Sequence, residues 1–507
     1  MRYDVVVVGG GHNALVAAAY LARAGRSVLV LERLGHVGGA AVSASPFPGV
    51  RLSRYSYLVS LLPDRIVSDL GLRIQLRSRA VSSYTPIERD GVHTGLLVER
   101  TPGAATADSF RALTGSDAEY ERWNRFYADL SRMAAALAPT LLEPLPTREQ
   151  IREVVVRAVG EHVWQDVFEQ PLGRTLLQTF TDDTVRGVVA TDGLIGTHTS
   201  LESADLLANR CFLYHLIGNG TGEWRVPVGG MGCVTRELER VARSAGATIL
   251  TGADVLAIDA DDESAQVRYA HRDTEVVVDA AHVLAGVAPA ELDRLRGRPA
   301  VPPVGAQFKI NILLDRLPRL RSGVPASLAF AGTFHLDESY SALEAAYRLT
   351  AAGSIPARLP GETYCHTLTD RSIVDGAEAH TLTLFGLHMP GSLFADNDAV
   401  RADVVERYLS GMNRYLLDPL EECLARDTFG TPRVEARTPV DLESELRMPG
   451  GNIFHADLSW PYADGGGWGV ETDVSTVLVC GAGARRGGGV SGIGGHNAAM
   501  ALLGRTG

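Results

Sequence analysis

Three glycine-rich clusters and one lysine carry most of the readable chemistry of this 507-residue chain. In Gly9-x-Gly11-x-x-Ala14 the first glycine permits a tight turn and the second lets backbone approach a diphosphate. The small third residue lets a helix pack on a strand. Glu32 follows about 20 residues later, where an acid accepts a hydrogen bond from a ribose hydroxyl. Near the other end, Thr476-Val-Leu-Val-Cys480 runs into Gly481-Ala482-Gly483, then Arg485-Arg486-Gly487-Gly488-Gly489-Val490. Lys309 is the only lysine, and arginine does every other cationic job. A site that keeps lysine under that bias needs a compact ammonium that can be neutralised; retention on a solvent-facing strand is the competing reading. His455 and His496 are candidate proton acceptors, set against structural packing on the apolar stretch Ile453-Phe454 and in the last helix. Arg485 and Arg486 either grip an anion or face solvent.

These residues need a frame. Val5–Val8 is a β-branched run suited to a parallel strand buried on both faces. A helix over Asn13–Ala24 ends at Gly25, and a strand over Ser27–Leu31 delivers Glu32. Residues 80–100 read as strands with a turn at Arg89-Asp90-Gly91. Apolar spacing predicts helices over Asp117–Leu137 and Arg148–Ala158, with shorter candidates at Leu172–Phe180 and Val185–Leu194. Trp224–Gly232, a helix over Val234–Ser244 and the stretch Gly246–Val255 return to the nucleotide site. Val276–Val278 and Val283-Leu284 supply a further strand. From Gln307 to about Val434 the pattern is an antiparallel sheet with polar and apolar residues alternating, followed by a helix near Ala402–Tyr415. Only 24 residues follow Gly483, too few for a second dinucleotide fold. The closing segment therefore completes the first, its helix starting at Val490 and aiming its N-terminus at the ligand.

Composition narrows the class. The length suggests at least two domains, and 45% apolar content with a mean hydropathy of +0.03 describes a soluble globular protein. No apolar run is long enough for a transmembrane helix, and a strand at the start leaves no room for a signal peptide. Five scattered cysteines without C-x-x-C fit a reducing cytoplasm and predict no metal site. Cys365-His366 reads as structural, because neighbours on a strand point to opposite faces. The net charge of −12 argues against nucleic acid and offers no patch for anionic lipid.

Glu32-Arg33-x4-Gly38-Gly39 resembles the E-R-x4-G-G pattern of glutathione-reductase-like FAD proteins. GGGHNALVAAAYLARAG, the Pro227-x-Gly229-Gly230-Met231 stretch, Gly450–His455 and Gly481–Gly492 together resemble the phytoene-desaturase-related flavoproteins, including their pyridine nucleotide-disulphide oxidoreductase domain 2 branch. Val234 departs from that pattern, where relatives have Leu, and so does Arg485-Arg486, where they commonly have His-Pro. The resemblance covers residues 1–60, 224–290 and 448–507.

It implies an α/β fold: a glutathione-reductase-like FAD-binding Rossmann domain with a parallel sheet (1–75, 224–300 and 435–507), plus an α+β substrate domain with a mixed or antiparallel sheet (76–223 and 301–434, helical over 116–215). It also implies non-covalent FAD held by Gly9, Gly11, Ala14, Glu32, Arg33, Gly38, Gly39, Val255, Gly481, Gly483, Gly489 and Val490, the residue at Val255 pairing its backbone with adenine. Lys309, His455 and Arg485 are the catalytic candidates. Lys309 would hold a water over flavin N5, as a lysine does in amine-oxidase-like flavoenzymes. The implied activity is a dehydrogenase, desaturase or oxidase moving hydride from a small organic biosynthetic intermediate to the flavin, forming C=C or C=N. Oxygen or a quinone would then accept the electrons. Competing readings are a redox-neutral isomerase or cyclase and a non-catalytic flavin-binding protein. Relatives touch membranes through the 116–215 region, so peripheral membrane contact stays open, as do the substrate and the oligomeric state.

Overall fold

A computed structural model describes residues 2–375 and 378–504. Met1 and residues 505–507, at the ends of the expected nucleotide-binding segments, lie outside the described residues. The strand Arg2–Val8 carries its valines into the middle of a seven-stranded sheet, where Val5 to Val8 are buried. Val28–Glu32 lies parallel on one side and the long strand Thr274–Ala285 parallel on the other. Thr248–Thr251 and Val477–Val479 extend the parallel array at its two flanks. The chain thus steps outward twice, then crosses to the far side of its first strand. That crossing leaves a switch point at the carboxyl end of the first strand, where Gly9–Gly11 lies. The first half of Thr274–Ala285 pairs antiparallel with Ala265–His271, and that strand with Ala253–Ala260. The expected parallel sheet is therefore present, with a three-stranded antiparallel extension.

The first helix, His12–Arg23, packs on the last, Ile493–Leu503. Their approach depends on Gly495: a Cβ there would stand 1.9 Å from the Asn13 carbonyl oxygen. Backbone oxygen cannot swing aside as a side chain can, so the helices would have to separate. Gly495→Ala is expected to destabilise the fold by about 3 kcal/mol and to weaken nucleotide retention, read by thermal melting. The last helix begins three residues later than expected. Gly489 and Gly492 sit at φ +70° and +73°, which turns residues 489–492 into a loop and moves the helix N-terminus past the site.

The second sheet also has seven strands, in the order Val434–Arg437, Phe308–Leu314, His380–Gly386, Gly361–Tyr364, Thr333–Leu336, Val81–Arg89, Val92–Glu99. It is mixed, because Thr333–Leu336 runs parallel to Val81–Arg89 while the other pairs are antiparallel. Phe308, Ile310, Ile312, Leu382, Leu384, Phe334 and Leu336 form one face and pack into a core with Val404, Tyr408 and Met412 of the helix Asn397–Asn413. The alternation read in the sequence is real, but its polar face is not solvated: every residue of Phe308–Leu314 is buried, Lys309 included. That face looks across a cavity toward a helical layer made of Ala118–Leu137, Asp183–Ala190 and Leu207–Ile217. The strand Gly361–Tyr364 ends before Cys365-His366, so that pair opens a 3₁₀ turn instead of spanning a strand; both residues are buried.

Candidate functional site

One cavity of about 730 Å³ runs from the switch point of the first sheet to the polar face of the second. At the first end it is lined by Gly9, Gly11, Ala14, Glu32, Arg33, Gly38, Gly39 and Val255, joined by Gly481, Gly489 and Val490. Glu32 is buried and braces the loop: Oε2 accepts from the Gly10 N–H and Oε1 from the Leu34 N–H, both at 2.7 Å. The Gly10 carbonyl in turn accepts from the Gly38 N–H at 2.8 Å. The Glu-Arg-x4-Gly-Gly segment is thereby stitched to the glycine loop. Gly38 has φ +124°, and a Cβ there would meet Val42 and Thr235 at 2.7 and 2.8 Å. Its glycine is required twice over.

The first helix begins at Gly11 with no side-chain cap and no acid in its first turn. Its opening N–H groups and positive end face the cavity, the arrangement that holds a diphosphate. A Cβ on Gly11 would meet nothing within 4 Å, so the space over this loop is free for a ligand. Gly11, Glu32 and Val255, the residues expected at the diphosphate, ribose and adenine, all line this end of the cavity.

Two expected site residues lie elsewhere. Arg485 is outside the cavity lining, its guanidinium donating to the carbonyls of Trp460 and Tyr462 at 3.2 and 2.9 Å. Gly483 is also outside, packed against Pro289. Arg486 neither grips a ligand nor faces solvent. It is 2% exposed and ties Thr140, Glu143 and Trp468 carbonyls together. His496 packs edge-on against Tyr20 and bonds Asn497. His455 does line the cavity, in a left-handed conformation (φ +67°), with Nδ1 buried and unpartnered. Burial and the neighbouring His12 hold its pKa down to about 4, so the ring is neutral near pH 7.

Lys309 lies at the junction of the two ends. Its Nζ donates to the carbonyls of Ser53 (2.9 Å) and Tyr55 and sits 4.5 Å over the Tyr57 ring. Burial holds this amine well below the usual lysine range. A neutral amine that donates two N–H groups to carbonyls keeps one lone pair for a third partner.

Strand register extends the site beyond what sequence reasoning found. Lys309 pairs with Phe385, Phe385 with Glu362, and Glu362 with His335, so these four form a row across the sheet on its cavity face. Tyr364 and Thr333 belong to the next row. Glu362 accepts from Tyr364 Oη and, at 3.2 Å, from Thr191 Oγ1 of the helical layer. His335 Nδ1 lies 2.5 Å from Glu338 Oε2. Burial raises the Glu338 carboxyl well above its usual range and lowers His335 to about 4. Burial, with Glu338 adding to it, lifts Glu362 to about 6. Burial and the charges of Glu362 and Glu338 lift Asp192 to about 8. Arg79 donates to Thr333 Oγ1 and the Trp224 carbonyl and stacks over Tyr364. The one available signal was polar alternation in Thr333-Phe-His335; without strand pairing it does not reveal a cluster.

A raised carboxyl pKa means that the folded state holds its proton more tightly than the unfolded chain. Asp192 therefore favours folding below its unfolded pKa and loses that contribution as pH rises through about 8. Asp192→Asn is expected to melt above the parent protein near pH 8, the gap closing as pH falls toward 4.

Fold and site define a doubly wound dinucleotide-binding protein with an added mixed sheet facing the ligand cavity. Residues 7–65 match the NAD(P)-binding Rossmann-like domain family. An uncharacterized protein of Mycobacterium tuberculosis is 49% identical over 99% of this chain and 97% of its own length. The mouse pyridine nucleotide-disulfide oxidoreductase domain-containing protein 2 is 29% identical over 99% of this chain and 93% of its own. The chain belongs to the family that these proteins share, the branch that its glycine motifs resemble. Among solved structures, an oxidoreductase from Methanosarcina mazei aligns over 100% of both chains with a TM-score of 0.61 at 15% identity, a likeness of fold.

Proposed function

We propose that the chain is an FAD-dependent oxidoreductase that takes hydride from a small organic substrate and forms a C=C or C=N bond. The observation that carries this reading is the single cavity joining an uncapped glycine-loop helix to a buried lysine and carboxylate row. Bound FAD would supply the hydride acceptor. Gly9–Gly11, Glu32, Gly38-Gly39, Val255 and Gly489-Val490 would hold it. Gly483, which packs behind this wall, would support it indirectly, and Arg485 has no role in the chemistry.

The protein's own part is positioning and proton handling. The apolar core behind the second sheet fixes its polar face. Lys309 is the proton acceptor or the holder of a water that accepts, because burial favours the uncharged form of its amine while two carbonyls fix its direction. The neutral His455 ring assists at the nucleotide end. With no second dinucleotide fold among the described residues, oxygen or a quinone takes the electrons.

Anaerobic incubation of the purified holoprotein with candidate substrates tests the reading. A dehydrogenase bleaches its flavin stoichiometrically. Turnover without bleaching indicates an isomerase or cyclase, and neither turnover nor bleaching indicates a binding protein. Rapid flavin reduction by NADPH alone contradicts the proposed acceptor side.

A further inference from the structure

We propose that His215 of the helical layer is a substrate-binding residue, its Nε2 accepting a hydrogen bond from an O–H or N–H group that the substrate must therefore carry. This deepens the reading above and rests on the cavity taking a substrate. His215 lies on the helix Leu207–Ile217, lines the cavity and is 5% exposed. Its Nδ1 lies 2.9 Å from the Cys211 carbonyl, one turn back along the helix. A carbonyl oxygen only accepts, so Nδ1 carries the hydrogen of the ring and Nε2 carries the lone pair. Nε2 has no hydrogen-bond partner among the described residues, yet it is not sealed in, as the equally unpartnered Nε2 of His366 is. On a side chain that lines the cavity, this open atom at the ring tip is the one that meets a ligand.

The ring is held in place. Trp224 stacks on it at 5.2 Å with 26° between the planes, and the Phe454 ring stands edge-on at 6.4 Å. The Trp224 carbonyl accepts from Arg79, Arg79 lies over Tyr364, and Tyr364 packs 4.9 Å from Tyr57, the ring beneath Lys309. These contacts run in a chain from the helical layer to the sheet, and each of the residues in it lines the cavity. A group held by Nε2 therefore lies between the helical layer and the sheet that carries Lys309. Burial holds the ring's pKa down to about 4, which keeps the lone pair free near neutral pH. A carbonyl or carboxylate would set its own lone pair against this one. A hydrocarbon would displace water from Nε2 without replacing the hydrogen bond, which is costly. His215 belongs to no cluster of three or more metal-ligating side chains among the described residues. A hydrogen-bond donor on an organic substrate is what remains.

Calorimetric titration of the holoprotein with phenol and anisole tests this, since the two probes share a ring and differ in whether their oxygen can donate. His215→Asn keeps an amide N–H for the Cys211 carbonyl and removes the nitrogen at the tip. His215→Gln returns an acceptor near the Nε2 position. Phenol is expected to bind at least about tenfold more weakly to His215→Asn and to recover in part with His215→Gln, while anisole changes little in either. Equal losses for both probes, undiminished phenol affinity in His215→Asn, or no phenol binding to the parent protein overturns the proposal. The parent protein gives a second reading that does not depend on the variants folding. Diethyl pyrocarbonate, which attacks a free imidazole lone pair, is expected to modify His215, mapped by peptide mass, and phenol to protect it better than anisole at equal occupancy. An unreactive His215, or equal protection by both probes, overturns the proposal as well. Flavin content is read from the visible spectrum of the same samples. A flavin-free protein with the same phenol response contradicts the redox reading and leaves the His215 contact standing.

Discussion

Glu32→Ala is expected to emerge from purification without flavin. The carboxylate does two jobs at once. It braces the glycine loop through the Gly10 and Leu34 N–H groups, and it borders the cavity where a ribose would lie. Its removal leaves two N–H groups without their acceptors, at a cost of about 1–3 kcal/mol each where water cannot replace them. The loop geometry that receives the diphosphate relaxes in consequence. Flavin affinity should fall by at least about a hundredfold, the equivalent of roughly 2.7 kcal/mol, measured by fluorescence titration of the apoprotein. Glu32→Gln keeps one carbonyl acceptor and is expected to fall between the two. Full flavin retention by Glu32→Ala would mean that the nucleotide does not lie along this strand end.

Lys309→Met is expected to keep its flavin and lose most of its reductive half-reaction. Methionine preserves the buried stem and removes the amine, so the cavity keeps its shape while the Ser53 and Tyr55 carbonyls lose their donor. If the amine accepts or relays the substrate proton, flavin reduction under anaerobic single-turnover conditions should slow by about 10²- to 10⁴-fold. Lys309→Arg decides between roles. Arginine restores donors to the carbonyls but stays charged, so a tethering role is rescued and a proton-accepting role is not. Reduction at the parental rate in Lys309→Met would remove Lys309 from the chemistry.

The nucleotide end of this cavity was legible because its signals are local. Gly9 to Ala14, Glu32 and Gly38-Gly39 fall within forty residues, and each type answers a backbone demand visible without tertiary structure. The closing glycines were legible as a site element but not in detail. Positive φ at Gly489 and Gly492 delays the helix, and the neighbouring carbonyls of residues 460–462 draw Arg485 away. The substrate end was not legible. Glu362, His335 and Asp192 are separated by up to 170 positions and meet only through strand register and a helical turn. Lys309 stood out by its rarity, but its burial depends on a helical layer whose packing no local pattern announces. The same polar alternation describes a solvated sheet face and a cavity wall; only the element opposite decides between them.

The most direct test of the central claim is the identity and stoichiometry of the nucleotide released when the purified protein is denatured. Chromatography of the supernatant should yield FAD at about one equivalent per chain, falling sharply for Glu32→Ala. Release of NAD(P), or of no flavin from protein reconstituted with excess FAD, would contradict it.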